Sequence, residues 1–229
     1  MVQKTIVLSL GGSLIIPENV DIDFLKQFKR VIIKHKNKYK FVIVTGGGSI
    51  ARKYISALKA AGESCYLQSL AGIGTTRMNA RFLTYLFGRD ANEGIPHDMK
   101  EVKGLLRKNN PVFCGDLRYA DKETSDGTSA KLARYFSCDF VNLTLVSGLY
   151  SKNPLTHKNA KFIPKISWEK FEKMANKNKF VPGQHFVLDQ SASKIIRKYK
   201  IKTYILGKEL KQLDNLLSGK KFKGTIIAG

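Results

Sequence analysis

The sequence predicts an α/β protein, a three-layer αβα sandwich around a mostly parallel central sheet, on three observations. Short β-branched runs alternate with longer segments of helical period along all 229 residues. Several runs are almost continuously apolar, as in Phe41-Val42-Ile43-Val44, which suits strands covered on both faces. Two of them end directly in glycine clusters, which places tight turns at strand C-terminal ends.

Strands are expected at 5–10, 41–45, 111–114, 140–146, 203–206 and 225–227, and helices at 21–38, 71–87, 97–108, 127–137, 167–176, 189–199 and 208–218. After Gly48, the residues Ile50, Tyr54, Leu58 and Ala61 form an apolar stripe along a further helix that can cover the sheet. The segment 71–87 holds Ile73, Met78, Phe82, Leu83, Tyr85, Leu86 and Phe87, more apolar surface than one stripe requires. It reads equally as a helix facing both core and partner subunit or as a two-sided core helix. The lysine- and asparagine-rich stretch 169–179, ending at Pro182-Gly183, is the place for a flap. No internal repeat divides the chain, and residues 1–229 read as one domain of two lobes.

With 43% hydrophobic, 25% charged and 10% aromatic residues, the composition excludes a mainly disordered chain. The apolar run 5–10 is too short for a signal-peptide core or a membrane span, which places the chain in the cytoplasm. The cysteines (65, 114 and 138) and the histidines (35, 97, 157 and 185) are scattered without metal-ligand spacing, so no metal site is expected from protein side chains. The net charge of +22 is the unusual number, and it divides into +9 over residues 1–150 and +13 over 151–229. Such a field attracts polyanions. Few aromatic residues interleave with the lysines, so a nucleic-acid partner is possible but not favoured.

Gly11-Gly12-Ser13 follows the first strand and Gly46-Gly47-Gly48-Ser49 the second. Without Cβ atoms, backbone N–H groups can approach an oxyanion closely, and the second cluster also opens a helix whose N-terminus favours phosphate. A phosphorylated ligand follows. The sequence lacks G-x-x-x-x-G-K-[ST], which excludes a Walker-type site. Gly46-x-Gly48-x-x-Ala51 matches a dinucleotide fingerprint, but on the second strand, with Glu63 falling beyond the helix where a ribose-binding acid is needed. Arg52, four residues after Gly48, stands where a guanidinium can reach a phosphate at the same helix terminus, or else is a surface arginine. Thr124-Ser125-Asp126-Gly127 puts hydroxyls and a carboxylate at a helix start, with Ser125 or Asp126 as the expected N-cap, and Asp189 precedes another helix in the same way.

These residues resemble the amino acid kinase family, and within it the archaeal-type UMP kinases. The likeness rests on Leu10-Gly11-Gly12-Ser13-Leu14, on 44–55 around the second glycine cluster, on Gly72-Ile73-Gly74-Thr75-Thr76-Arg77-Met78-Asn79-Ala80, on 144–150 and on Ser193-Lys194-Ile195-Ile196. It implies ATP as phosphoryl donor, Mg2+, UMP as acceptor, and a hexamer built from dimers that pack the helix containing Asn79. It implies an acceptor-binding lobe over about 1–130 and a nucleotide-binding lobe over about 131–229. By the same resemblance Gly11, Gly12, Ser13, Gly48, Arg52, Thr144, Tyr150 and Asn153 belong to the ATP side. Gly47, Ser69, Gly115, Thr124, Ser125 and Asp126 belong to the UMP side, and Arg52, Asp126 and Asp189 are the catalytic set. Ser9 stands where many relatives carry a phosphate-binding lysine. Ser69, Ser147 and Asn153 stand where relatives usually carry aspartate, and the loop from Gly115 to Glu123 lacks the usual Pro-Gly.

Overall fold

Apolar side chains alternate between the two faces of each strand, so the sheet needs helices on both sides, and it has them. The computed structural model describes residues 3–120, 123–176 and 187–229; positions 121–122 and the end of the expected flap, from 177 through Pro182-Gly183, lie outside the described residues, while the first part of that flap is helical and buries Phe171 and Ala175. The chain runs β1 (Lys4–Leu10), α1 (Gly12–Ile15), α2 (Ile22–His35), β2 (Tyr39–Thr45), α3 (Gly48–Ala60), α4 (Cys65–Phe87), α5 (Met99–Leu105), β3 (Val112–Cys114) and α6 (Ser125–Tyr135). It continues as β4 (Asp139–Leu143), β5 (Leu149–Tyr150), β6 (Phe162–Ile163), β7 (Lys165–Ile166), α7 (Trp168–Ala175), α8 (Gln190–Lys198), β8 (Thr203–Leu206), α9 (Leu210–Leu217) and β9 (Thr225–Ile227).

Seven strands form one sheet in the order β3-β2-β1-β4-β8-β9-β7, parallel throughout except for the β8–β9 pair. Strands β5 and β6 make a separate antiparallel pair. On one face Leu8, Leu10, Phe41 and Ile43 pack with Phe28 of α2, Leu83 and Phe87 of α4 and Leu213 of α9. On the other, Val7, Val42 and Val44 pack with Val102 of α5, Leu132 of α6, Phe171 of α7 and Ile196 of α8. This is the expected three-layer sandwich. Among the described residues no helix is long and apolar enough to cross a membrane.

The differences from expectation have local causes. β4 ends at Leu143, because after Thr144 donates its N–H to Leu206 the chain leaves the sheet and lines a cavity instead. α4 begins at Cys65 rather than 71, with Ser64 as its N-cap, and carries Gly72 and Gly74 in its interior. Its length places it over β2 and β3, so α3 packs on α4 and α1 and does not cover the sheet as its stripe suggested. Tyr54 is accordingly exposed. α4 itself buries Thr76, Asn79 and Leu83 and turns Met78 and Tyr85 to the outside, about 70% exposed (68% and 72%). Asn79 faces inward, donating to the Gly46 carbonyl at 2.7 Å. The N-cap of α6 is Thr124, not Ser125 or Asp126, and this leaves the Asp126 carboxylate free of capping. The pairs β5, β6 and β7 are two residues each, too short to leave a periodic signal.

β3 is an edge strand whose outer side is completed by one side chain. Asn92, 1% exposed, accepts the Phe113 N–H at 2.7 Å and donates to the Phe113 carbonyl at 3.0 Å. Asn92→Ala strands both buried groups and is expected to lower the unfolding free energy by about 2 to 4 kcal/mol, read from urea unfolding midpoints. A change below about 0.5 kcal/mol would show that β3 does not depend on this bridge.

Candidate active site

The C-terminal ends of β3, β2, β1 and β4 open on the same side of the sheet, and there the two glycine turns touch. A Cβ on Gly12 would lie 2.0 Å from the Gly48 nitrogen and 2.6 Å from the Gly46 carbonyl carbon. A Cβ on Gly46 would meet the Gly12 nitrogen at 2.5 Å. Gly48 has φ +67° and its missing Cβ faces the Gly12 oxygen at 2.6 Å, so both conformation and space require glycine there. The turns are tied by hydrogen bonds from Gly46 N–H to the Leu10 carbonyl and from Ser49 N–H to the Ile16 carbonyl. Arg52 adds a third tie, its Nη1 donating to Ser13 Oγ at 3.1 Å.

The turns form the floor of a cavity of about 840 Å³. Adjacent strands lie about 4.8 Å apart, so from the end of β3 to the end of β4 the cavity floor spans about 14 Å. On the β3 side the wall is α4 with Gln68, Ser69, Ile73 and Thr76, joined by Asp116 and Tyr119. On the β4 side it is Thr144, Leu145, Val146, Tyr150 and Asn153. The two glycine turns thus lie between a wall on the β3 side and a wall on the β4 side, an arrangement that suits two nucleotides meeting phosphate to phosphate.

Thirteen of the residues singled out from sequence border this cavity: Gly11, Gly12, Ser13, Gly47, Gly48, Arg52, Ser69, Thr124, Ser125, Asp126, Thr144, Tyr150 and Asn153. Gly115 and Asp189 do not. Gly115 is glycine because a Cβ would lie 2.5 Å from the Arg77 nitrogen, where the loop crosses α4. Asp189 stands behind the wall. Its Oδ1 caps α8 through Ala192 N–H at 2.6 Å, and its Oδ2 accepts from Thr124 N–H at 3.1 Å and Thr124 Oγ1 at 2.6 Å. It therefore fixes the start of α6. Ser69 turns its hydroxyl proton back to the Cys65 carbonyl at 2.8 Å, and Asn153 spends its Oδ1 on Leu155 N–H.

Asp126 accepts from Ser9 Oγ at 3.1 Å. Burial pushes its carboxyl well above the usual range, and the nearby Asp189 adds to the shift. Asp116, which falls within the loop from Gly115 to Asp126 that the resemblance assigns to the UMP side without being singled out there, lines the same cavity, and burial pushes it up to about 7 despite the hydrogen bond from Thr128 Oγ1 at 2.9 Å. Its position immediately after Gly115, at the mouth of the third strand, was the available signal.

The sequence model described as the amino acid kinase family matches residues 4–207. The chain belongs to the amino acid kinase family. This amino acid kinase is similar to a uridylate kinase of Thermococcus kodakarensis, 33% identical over 225 residues that cover 97% of this chain and 98% of that protein. It is also similar to a uridylate kinase of Thermoplasma volcanium, 32% identical over 218 residues covering 95% and 94% of the two chains. The crystal structure of uridylate kinase from Archaeoglobus fulgidus superposes with a TM-score of 0.83 at 29% identity, covering 97% of this chain and 99% of that one. That of UMP kinase from Ureaplasma parvum superposes at 0.82 with 20% identity over the whole of both chains, a likeness of fold.

Two predictions follow from the geometry. Gly12→Ala in this amino acid kinase pushes a methyl group into the main chain of the second turn and is expected to destabilise the fold by about 3 kcal/mol or more. Gly74→Ala meets nothing within 4 Å and is expected to be neutral or stabilising by up to about 1 kcal/mol. Equal melting temperatures for the two variants would refute the contact. The second concerns pH. Asp116 is raised in the folded chain but ionises near 4 when unfolded, so the unfolded chain gains in relative stability as pH rises from about 4 to about 7. Asp116→Asn removes that loss. It is expected to raise the unfolding free energy by a few kcal/mol at pH 8 and by little below pH 4, measured by denaturant titration at both values.

Proposed function

We propose that this chain transfers the γ-phosphoryl group of ATP to UMP, giving UDP and ADP. The observation that carries the reading is the convergence of two glycine turns on the floor of one two-winged cavity, in a chain similar over nearly its whole length to uridylate kinases. The UMP phosphate oxygen attacks the γ-phosphorus in line, the bond to the β,γ-bridging oxygen breaks, and ADP leaves with that electron pair. A nucleotide phosphate is already largely dianionic above about pH 6, so no side chain is needed to remove a proton. The task left to the protein is alignment and charge stabilisation.

In this reading ATP takes the β4 side, with Gly11, Gly12, Ser13 and Gly48 at its phosphates and Thr144, Tyr150 and Asn153 along its nucleoside. UMP takes the β3 side, with Gly47, Ser69, Thr124 and Ser125 around it. The lobe over about 1–130 thus holds the acceptor and that over about 131–229 the donor nucleotide. Arg52 lies between them, joined to Ser13, and neutralises charge on the phosphoryl group in flight. Asp189 acts as a positioning residue through Thr124.

Among the described residues no cluster of three or more His, Cys, Asp or Glu side chains could hold a metal ion. That suits Mg2+, which keeps several waters and binds mainly through phosphate oxygens. Asp126 is the fitting protein partner, a buried carboxylate bordering the cavity that among the described residues has no ion-pair partner and accepts from Ser9, where the resemblance puts a lysine in many relatives. When bound there, the ion would offset phosphate charge. Self-association through the exposed apolar residues Tyr54, Met78 and Tyr85 of α3 and α4 suits a dimer as the unit of a hexamer.

An acceptor screen tests the reading. With ATP and Mg2+, ADP release should be stimulated by UMP above CMP, isopentenyl phosphate or amino acids, and absence of stimulation by UMP would overturn it. Arg52→Ala should lower kcat by roughly 100-fold, the scale of one transition-state charge contact of about 3 kcal/mol. Kinetics equal to those of the unaltered protein would remove Arg52 from the mechanism.

A further inference from the structure

Asp116 is held in place by its main chain, not by its carboxylate. Its N–H donates to Thr76 Oγ1 at 2.9 Å, its carbonyl accepts from Arg77 Nε at 2.9 Å, and the next carbonyl, Leu117, accepts from Arg77 Nη2 at 2.5 Å. Those three bonds fasten the loop to α4 whatever side chain stands at 116. The residue is nonetheless buried, 8% exposed. One oxygen, Oδ1, takes the Thr128 hydroxyl, while among the described residues Oδ2 has no hydrogen-bond partner and borders the cavity.

A half-satisfied carboxylate in this position weakens the fold, because burial and the neighbouring acids Glu123 and Asp189 all oppose its charge. A ligand that donates to Oδ2 would supply what the protein leaves out. The position narrows the donor. β3 is the strand next to β2, whose end carries the second glycine turn, so a group at Asp116 sits about one strand spacing, 4.8 Å, to the side of the phosphate floor. A carboxylate repels phosphate oxygens but accepts from hydroxyl and N–H groups. Two hydroxyls on this wing, Ser69 and Thr76, have their protons committed to carbonyls of their own helix.

We propose that Asp116 selects the acceptor, its Oδ2 accepting a hydrogen bond from the nucleoside of the molecule to be phosphorylated, either from the sugar 2′-hydroxyl or from the imide N–H of the base. This rests on the reading that a nucleoside monophosphate occupies the β3 wing. Recognition is strongest with Asp116 ionised and weakens as it takes up a proton. The charged groups that set that balance are Arg77 from α4, Glu123 from the loop, Asp126 from α6 and Asp189 ahead of α8.

The test is Asp116→Asn, which keeps shape and removes charge. At pH 8 it should raise KM for UMP at least 10-fold while kcat stays within about 3-fold, the split expected for a contact made equally in ground and transition states. Between pH 6 and 8 the ratio of the two proteins' KM values should change, growing as pH rises; ionisation of the UMP phosphate is common to both and cancels. Thr128→Val, which keeps the carboxylate and removes its one donor, should move that change to higher pH. The source of the hydrogen bond is read from analogues: a penalty that vanishes with dUMP identifies the 2′-hydroxyl, and one that vanishes with 3-methyluridine monophosphate identifies the base N–H. An unchanged KM, a fall in kcat alone, or a penalty equal for UMP and both analogues overturns the proposal. Should the unaltered protein bind UMP by calorimetry without phosphorylating it, the functional reading fails by itself, and a 10-fold loss of UMP affinity in Asp116→Asn still decides the role of Asp116. A protein that does not bind UMP overturns both.

Discussion

Main chain packed directly against main chain, where Gly12 meets Gly46 and Gly48, is the constraint on which the rest of the site depends. The contact is possible only because β1 and β2 are paired in register through Leu10 and Thr45, so that both chains leave the sheet at the same level. From there α1 and α3 diverge, and the two turns line a common cavity. The surrounding side chains serve this junction. Asn79 holds the Gly46 carbonyl from α4, Thr45 Oγ1 holds the Thr76 carbonyl at 2.7 Å, and Arg52 binds Ser13 across the two turns.

The electrostatics of the cavity run against those of the molecule. The chain carries +22 overall, yet the carboxylates closest to the floor, Asp116 and Asp126, are buried and pushed toward their neutral forms. Surface lysines are screened by water and do little for a group that has lost its own hydration. The Asp189–Thr124 link extends the arrangement, since the carboxylate behind the wall that positions α6 also raises its neighbours. The acids whose burial opposes fold stability therefore lie at the cavity itself, a common condition of ligand-binding sites.

Much of this was legible from residue order. The apolar strands 5–10 and 41–45 and the glycines after them specify the sheet edge, because no other residue type tolerates such close approach. What was not legible has physical reasons. A glycine announces a missing Cβ but not what fills the space, so Gly47 at the cavity and Gly115 against α4 look alike in sequence. An apolar stripe announces burial but not the partner, so α3 was expected on the sheet while it packs on α4. A hydroxyl ahead of a helix announces capping, but not which residue performs it; Thr124, held by Asp189 from another element, does so here. Asp116 was hidden for a related reason, as one acid among several in a polar loop, distinguishable only when its burial is known.

The floor built from peptide groups bears on how such a protein can change over generations. Donors that belong to the peptide bond are present whatever the side chain, so apart from proline no substitution deletes one of them; it can only obstruct it by adding bulk. The walls are free of that protection. Wall side chains such as Ser9 and Ser69 can therefore be exchanged one by one over generations while the peptide groups of the floor pass down unaltered.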